Sequence, residues 1–155
     1  TVIARTGAHS MVSLAGPGKS IARPAEIDRE WLALEFNDIP SPRDGYIAPS
    51  REDVSEIIDL GLRWTGDRPL ICQCWLGVSR STASALMICA ARNPEQDFEQ
   101  LADRLRALSP TATPNPMMIR LADEHLSLGN RLSKAVQKIG RGANCMQGEP
   151  IELEI

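Results

Sequence analysis

The sequence predicts an α/β fold in which a small central, mostly parallel sheet is flanked by helices. Short apolar runs at 31–36 (WLALEF) and 69–74 (PLICQC) suit buried strands. Apolar residues recur at helical spacing in 51–64 and again after Pro94. Strands and helices alternate along the chain, which favours helices layered on a parallel sheet. The 155 residues are enough for one domain with a core and too few for two ordinary ones, so 1–155 reads as a single domain.

Taken in order, residues 1–14 carry closely spaced apolar residues and read as one or two β segments. Gly16, Pro17, Gly18 and Pro24 mark 15–24 as a loop. The strand at 31–36 ends in Asn37-Asp38 and a Pro/Gly-rich loop over 40–49. Ser50, with Asp53 three residues on, reads as a capping-box variant at the start of a helix over 51–64, where Val54, Ile57, Ile58, Gly61 and Leu62 follow at helical spacing. The strand at 69–74 runs without a gap into GVSRS and a helix over 80–92. A further helix is expected from Pro94 to Leu108, with Phe98, Leu101, Leu105 and Leu108 on one side. After a loop at 109–116, a last helical region covers about 117–138, broken near Gly129. Residues 140–155 are read as a short edge strand or a flexible tail.

Composition narrows the function classes. Hydrophobic residues make up 43% and charged residues 24%, ordinary values for a soluble globular chain. No apolar run is long enough to span a bilayer. A net charge of −3 without basic blocks, and only three Trp, one Tyr and two Phe, argue against nucleic acid as partner. Cys72, Cys74, Cys89 and Cys145 lack disulfide-framework spacing and suit a reducing cytoplasm.

The informative stretch is Cys74-Trp75-Leu76-Gly77-Val78-Ser79-Arg80-Ser81. A cysteine ends a strand, five residues turn through a glycine, and an arginine opens a helix. A tight loop at a helix N-terminus presents backbone N–H groups and the positive dipole end to an anion. Arg80 adds a planar fork that can hold two oxygens of one phosphate. The same field favours the thiolate of Cys74 over the ordinary thiol, whose pKa is about 8.5. That thiolate can attack phosphorus in line and form a thiophosphate. Ser81, one residue into the helix, can donate its hydroxyl to the sulfur when the thiolate leaves.

CWLGVSRS resembles the Cys-x5-Arg-Ser/Thr signature of the protein tyrosine phosphatase superfamily, especially the dual-specificity branch and its small predicted bacterial members. The resemblance runs from the strand at 31–36 through the loop at 109–116. It implies a phosphatase-like fold with the signature loop between a strand and a helix. The phosphate of a phosphorylated protein or small phosphoester would then be held by the 75–79 amides and Arg80, with no cofactor and no metal. Phosphate or sulfate would occupy the same loop. It also implies a general acid on a loop after an upstream strand, where Asp38 stands, with Asp44 the competitor. Asn115 matches an asparagine that supports the signature loop, although a turn-forming Asn between two prolines would read the same way. Gln73 stands where the family usually has His, and Leu76 where it usually has a small residue.

Other patterns are weaker. Gly16-Pro17-Gly18-Lys19-Ser20 looks like the end of a nucleotide-binding loop, but Ser13 stands in place of its first glycine and Pro24 blocks the helix that should follow. Cys72 and Cys74 alternate onto one strand face, which raises a reversible disulfide as one reading and a small buried hydrophobe as the other. The alternative to an active phosphatase is a catalytically impaired phospho-binding module, motivated by Gln73. Sulfur transfer or arsenate reduction is a third reading, opposed by the Arg80-Ser81 ending and by Asp38.

Overall fold

Ser10–Ala15 (β1) is the one run near the N-terminus whose side chains are buried almost throughout, and it forms the centre of the sheet. In the computed structural model, which describes residues 1–155, Trp31–Glu35 (β2) and Leu70–Gln73 (β3) flank it in the order β2-β1-β3. Both pairings are parallel: Val12 stands opposite Leu32 and Cys72, and Ser13 opposite Ala33 and Gln73. The α/β class read from the sequence is therefore present, with a wholly parallel three-stranded sheet. The two runs expected as buried strands are its half-exposed edges. Apolar content alone does not separate a central strand from an edge covered on one face.

Residues 1–14 are not all β. Val2–Thr6 form a short helix (α1), capped by Thr1 Oγ1 at the Ala4 amide and ended by Gly7 in the left-handed conformation. No residue of α1 is buried, so its apolar spacing reflects no place in the sheet.

The remaining helices are Arg51–Arg63 (α2), Arg80–Arg92 (α3), Phe98–Leu108 (α4), Pro116–His125 (α5) and Arg131–Ile139 (α6). The capping box of α2 forms in both directions: Asp53 N donates to Ser50 Oγ at 3.0 Å and Ser50 N to Asp53 Oδ2 at 2.8 Å. Helix α4 starts at Phe98 rather than Pro94, because Asp97 caps it by accepting from Gln100 N. The break between α5 and α6 falls where Gly129 and Asn130 take positive φ. Asp123, buried in α5, bridges that break by accepting from the Leu132 and Ser133 amides.

The core is a cluster of 24 buried residues that joins Val12, Leu14 and Phe36 to the inner faces of α2–α6. Helix α3 runs through its middle, with Leu86, Met87 and Ala90 fully enclosed. Residues 140–155 form no strand, yet Ile151 and Leu153 pack against this core. No helix is long and apolar enough to cross a membrane.

Candidate active site

Parallel strands bring their carboxyl ends to one edge, where open α/β sheets place ligands. Strand β2 delivers Phe36 to Asp38 to that edge, and β3 delivers Cys74. Residues 74–79 then turn, with Gly77 at φ 71, and α3 begins at Arg80. A φ in that range favours glycine, so the turn depends on the residue at 77.

Donors and acceptors of this loop are treated unequally. Leu76 O accepts from Gly148 N at 2.7 Å, Val78 O from Thr113 N at 2.8 Å, and Ser79 O from Asn115 N at 3.3 Å. Thr82 Oγ1 also donates to Val78 O and Ser79 O. None of the backbone N–H groups from Trp75 to Thr82 donates to a protein acceptor. A trans peptide holds its C=O and N–H in opposite directions. Anchoring the carbonyls outward therefore leaves the amides of Gly77, Ser79 and Arg80 directed away from the anchors. Helix α3 has no side-chain cap, since Ser79 Oγ donates to Asp38 instead. Its first N–H groups remain available to an anion.

Arg80 is only 7% exposed, which for a guanidinium requires partners. Nη1 donates to Phe36 O at 2.8 Å and ties the start of α3 to the end of β2. Nε is buried and has no partner. An unpaired buried donor on a cation costs about 1–3 kcal/mol or more, which an anion in the loop would offset. Cys74 is half-buried, and its Sγ lies 3.2 Å from Ser81 Oγ, within hydrogen-bond distance for sulfur.

Asp38 is joined to the same loop. Its Oδ1 accepts from Ser79 Oγ and from Asn115 Nδ2, both at 2.7 Å. Asn115 Nδ2 also donates to Ile39 O, and Asn115 Oδ1 caps α5 at the Met118 amide. Asn115 is 1% exposed and touches three segments: the Asp38 loop, the 74–81 loop through its backbone, and α5. Asp44 sits on an exposed turn and makes no side-chain hydrogen bond.

Of the other residues singled out, Trp75 is 79% exposed, so its ring does not pack under the loop. Leu76 is exposed as well. Gln73, half-buried on β3, makes no side-chain hydrogen bond. Cys72 packs against the core, where burial and the nearby Cys89 and Cys74 push its thiol up to about 12. Burial likewise pushes Cys89 up to about 11. In the Gly16–Ser20 loop, the Gly18 and Ser20 amides donate to the Glu35 carboxylate. The Ser20 side chain, together with those two amides, holds that carboxyl below the usual range. A surface depression of about 400 Å³ lined by Arg51, Glu52, Ser55, Glu56 and His125 shares no residue with the 74–81 loop.

Sequence reasoning missed four partners of the loop: Phe36 O, Thr113 N, Gly148 N and the Thr82 hydroxyl. The first three act through backbone atoms, which leave no residue-type signal, and Thr82 lies in the first turn of α3, where a threonine carries no distinctive spacing. No protein-family model, no curated protein and no solved structure matches the chain.

Proposed function

We propose that the chain is a cysteine-dependent phosphomonoester hydrolase of the protein tyrosine or dual-specificity phosphatase type. The observation that carries this reading is the unengaged run of amides from Trp75 to Thr82, set beside Cys74 and the unpartnered Nε of Arg80. Such a concentration of donors suits a dianion with oxygens to share.

In the first step the Cys74 thiolate attacks phosphorus as the ester P–O bond breaks. Asp38 gives its proton to the leaving oxygen. Arg80 Nε and the loop amides hold the equatorial oxygens, where charge is spread in the transition state. In the second step Asp38, now a carboxylate, takes a proton from water as that water attacks phosphorus. The P–S bond breaks, Ser81 donates its hydroxyl to the departing thiolate, and inorganic phosphate leaves. Ser79 and Asn115 both donate to Asp38 Oδ1, leaving Oδ2 to carry the transferable proton. The substrate is a phosphorylated protein or small phosphoester, and a reduced nucleophilic thiol suits the cytoplasm.

A second reading, a phospho-binding module without turnover, is favoured by one observation. Position 73 supplies no polar anchor to the loop, because Gln73 makes no side-chain hydrogen bond. A panel of aryl and alkyl phosphoesters against wild type, Asp38→Ala and Asp44→Ala separates the two. Hydrolysis lost in Asp38→Ala and kept in Asp44→Ala supports the enzyme. Binding of phosphotyrosine peptide by reduced protein without turnover selects the module.

A further inference from the structure

The chain after α6 returns to the candidate site and touches it at one place. Gly142 N donates to Thr113 Oγ1 at 3.1 Å and Ala143 N to Pro110 O at 2.9 Å. Gly148 N then donates to Leu76 O at 2.7 Å, and Ile151 and Leu153 pack on the core beyond it. Both glycines sit where only a bare backbone fits. A Cβ on Gly148 would stand 2.9 Å from Gly77 O and from Val78 Cγ1. A Cβ on Gly142 would stand 2.4 Å from the Thr111 carbonyl carbon.

We propose that residues 140–155 are a strap that shapes the anion loop, with Gly148 as its positioning residue. The inference rests on reading the 74–81 loop as a phosphate cradle. The peptide between Leu76 and Gly77 has its carbonyl held outward by Gly148 N and by no other group. Its trans geometry turns the Gly77 N–H to the opposite side. The peptides that begin at Val78 and Ser79 have their carbonyls held by Thr113, Asn115 and Thr82. Those anchors come from the 111–115 loop and from α3 itself. The strap therefore controls one donor of the cradle, the Gly77 amide, and leaves the Ser79 and Arg80 amides to other anchors. Gln73 makes no polar contact with the loop, so this orientation comes from outside the β3–α3 unit.

The test titrates inorganic phosphate into the full chain while following the backbone amides by two-dimensional NMR. In wild type the Gly77, Ser79 and Arg80 amides should shift together with one dissociation constant. In Gly148→Ala the Gly77 response should be lost, the Ser79 and Arg80 responses kept, and affinity lowered about tenfold, as expected for one charge-assisted hydrogen bond. Gly142→Ala, which lifts the strap at its other end, should lower affinity in the same direction and serves if Gly148→Ala fails to fold. No loop response in wild type overturns the cradle reading and the strap with it. Normal wild-type binding, with both variants binding as tightly and Gly77 still responding, overturns the strap alone. Affinity that falls only in step with the melting temperature, with all three amides displaced equally, also overturns it.

Discussion

Asn115 joins the Asp38 loop to α5, and Asn115→Ala tests that junction with a magnitude set by the structure. The substitution removes the α5 cap on the Met118 amide, worth about 1 kcal/mol. It also leaves the buried Ile39 carbonyl without its side-chain donor, a loss of about 1–3 kcal/mol. Asp38 Oδ1 keeps Ser79 as a donor, so little is added there. The expected destabilisation is about 2–4 kcal/mol, which for a domain of this size lowers Tm by roughly 5–15 °C. Urea unfolding followed by circular dichroism measures it, with the slope m unchanged if only native contacts are lost. Asn115→Asp sharpens the test. It keeps an acceptor for Met118 N and puts a second carboxylate where Nδ2 lay 2.7 Å from Asp38 Oδ1. Two carboxylates at that distance cannot both ionise without cost, so the folded pair holds a proton above the ordinary carboxylate range. A folded-state pKa raised in this way gives stability at low pH that is lost as pH rises. Asn115→Asp should therefore approach wild type near pH 5 and fall away toward pH 8. A loss under about 1 kcal/mol in Asn115→Ala, or a pH-independent loss in Asn115→Asp, would refute the junction.

Five further outcomes are expected. Asp38→Asn should lower kcat/KM, which reports the first step, by about 100-fold or more for phenyl phosphate and much less for p-nitrophenyl phosphate, because p-nitrophenolate leaves without a proton; equal losses of kcat/KM on both esters would remove Asp38 as the acid. Arg80→Lys keeps the charge but loses the fork and the tie to Phe36 O, and should weaken inorganic phosphate binding about 10- to 100-fold in a calorimetric titration. Iodoacetamide at neutral pH should modify Cys74 and exposed Cys145 but not Cys72 or Cys89, as read by peptide mass mapping, because those two thiols are pushed up to about 12 and about 11. Raised thiol pKa values add stability that is present below pH 9 and lost as pH climbs toward 12, so Cys72→Ala should flatten the alkaline limb of the stability profile. Gly61→Ala should destabilise α2 against α3 despite a helix-propensity gain of about 1 kcal/mol, since its Cβ would stand 2.7 Å from Ile88 Cγ1 and Cγ2; overpacking costs about 1–3 kcal/mol, and Ile88→Ala should restore the balance.

Much of the frame is legible in the residues because local signals and tertiary demands agree there. Ser50 and Asp53 announce a capping box and form one. The strand-loop-helix order around Cys74 is written in PLICQC, Gly77 and the run after Arg80. Where the two disagree, the sequence misleads. Val2 and Ile3 suggest a strand, but no neighbouring strand accepts them and Gly7 closes a helical turn instead. WLALEF looks buried, yet it lies at an edge, because burial depends on which strand takes the centre. Pro94 signals a helix start, but the residue that can accept from a first-turn amide is Asp97. Asp38 and Asn115 are separated by 77 positions and meet through a single hydrogen bond that no spacing rule reaches. Leu76 and Gly148 meet through backbone atoms alone, and the tail composition hides it.

A nucleophilic Cys74 working in an anion cradle would carry a covalent phosphoryl group during turnover. Rapid acid quench of reduced protein with p-nitrophenyl phosphate, followed by peptide mass spectrometry, tests it most directly. Asp38→Asn should accumulate a phosphocysteine at Cys74, since the first step needs no acid with this ester and the second lacks its base. Cys74→Ser should show neither adduct nor turnover. Turnover that survives in Cys74→Ser, or phosphate binding with no adduct and no turnover in the wild-type protein, would rule out Cys74 as the nucleophile.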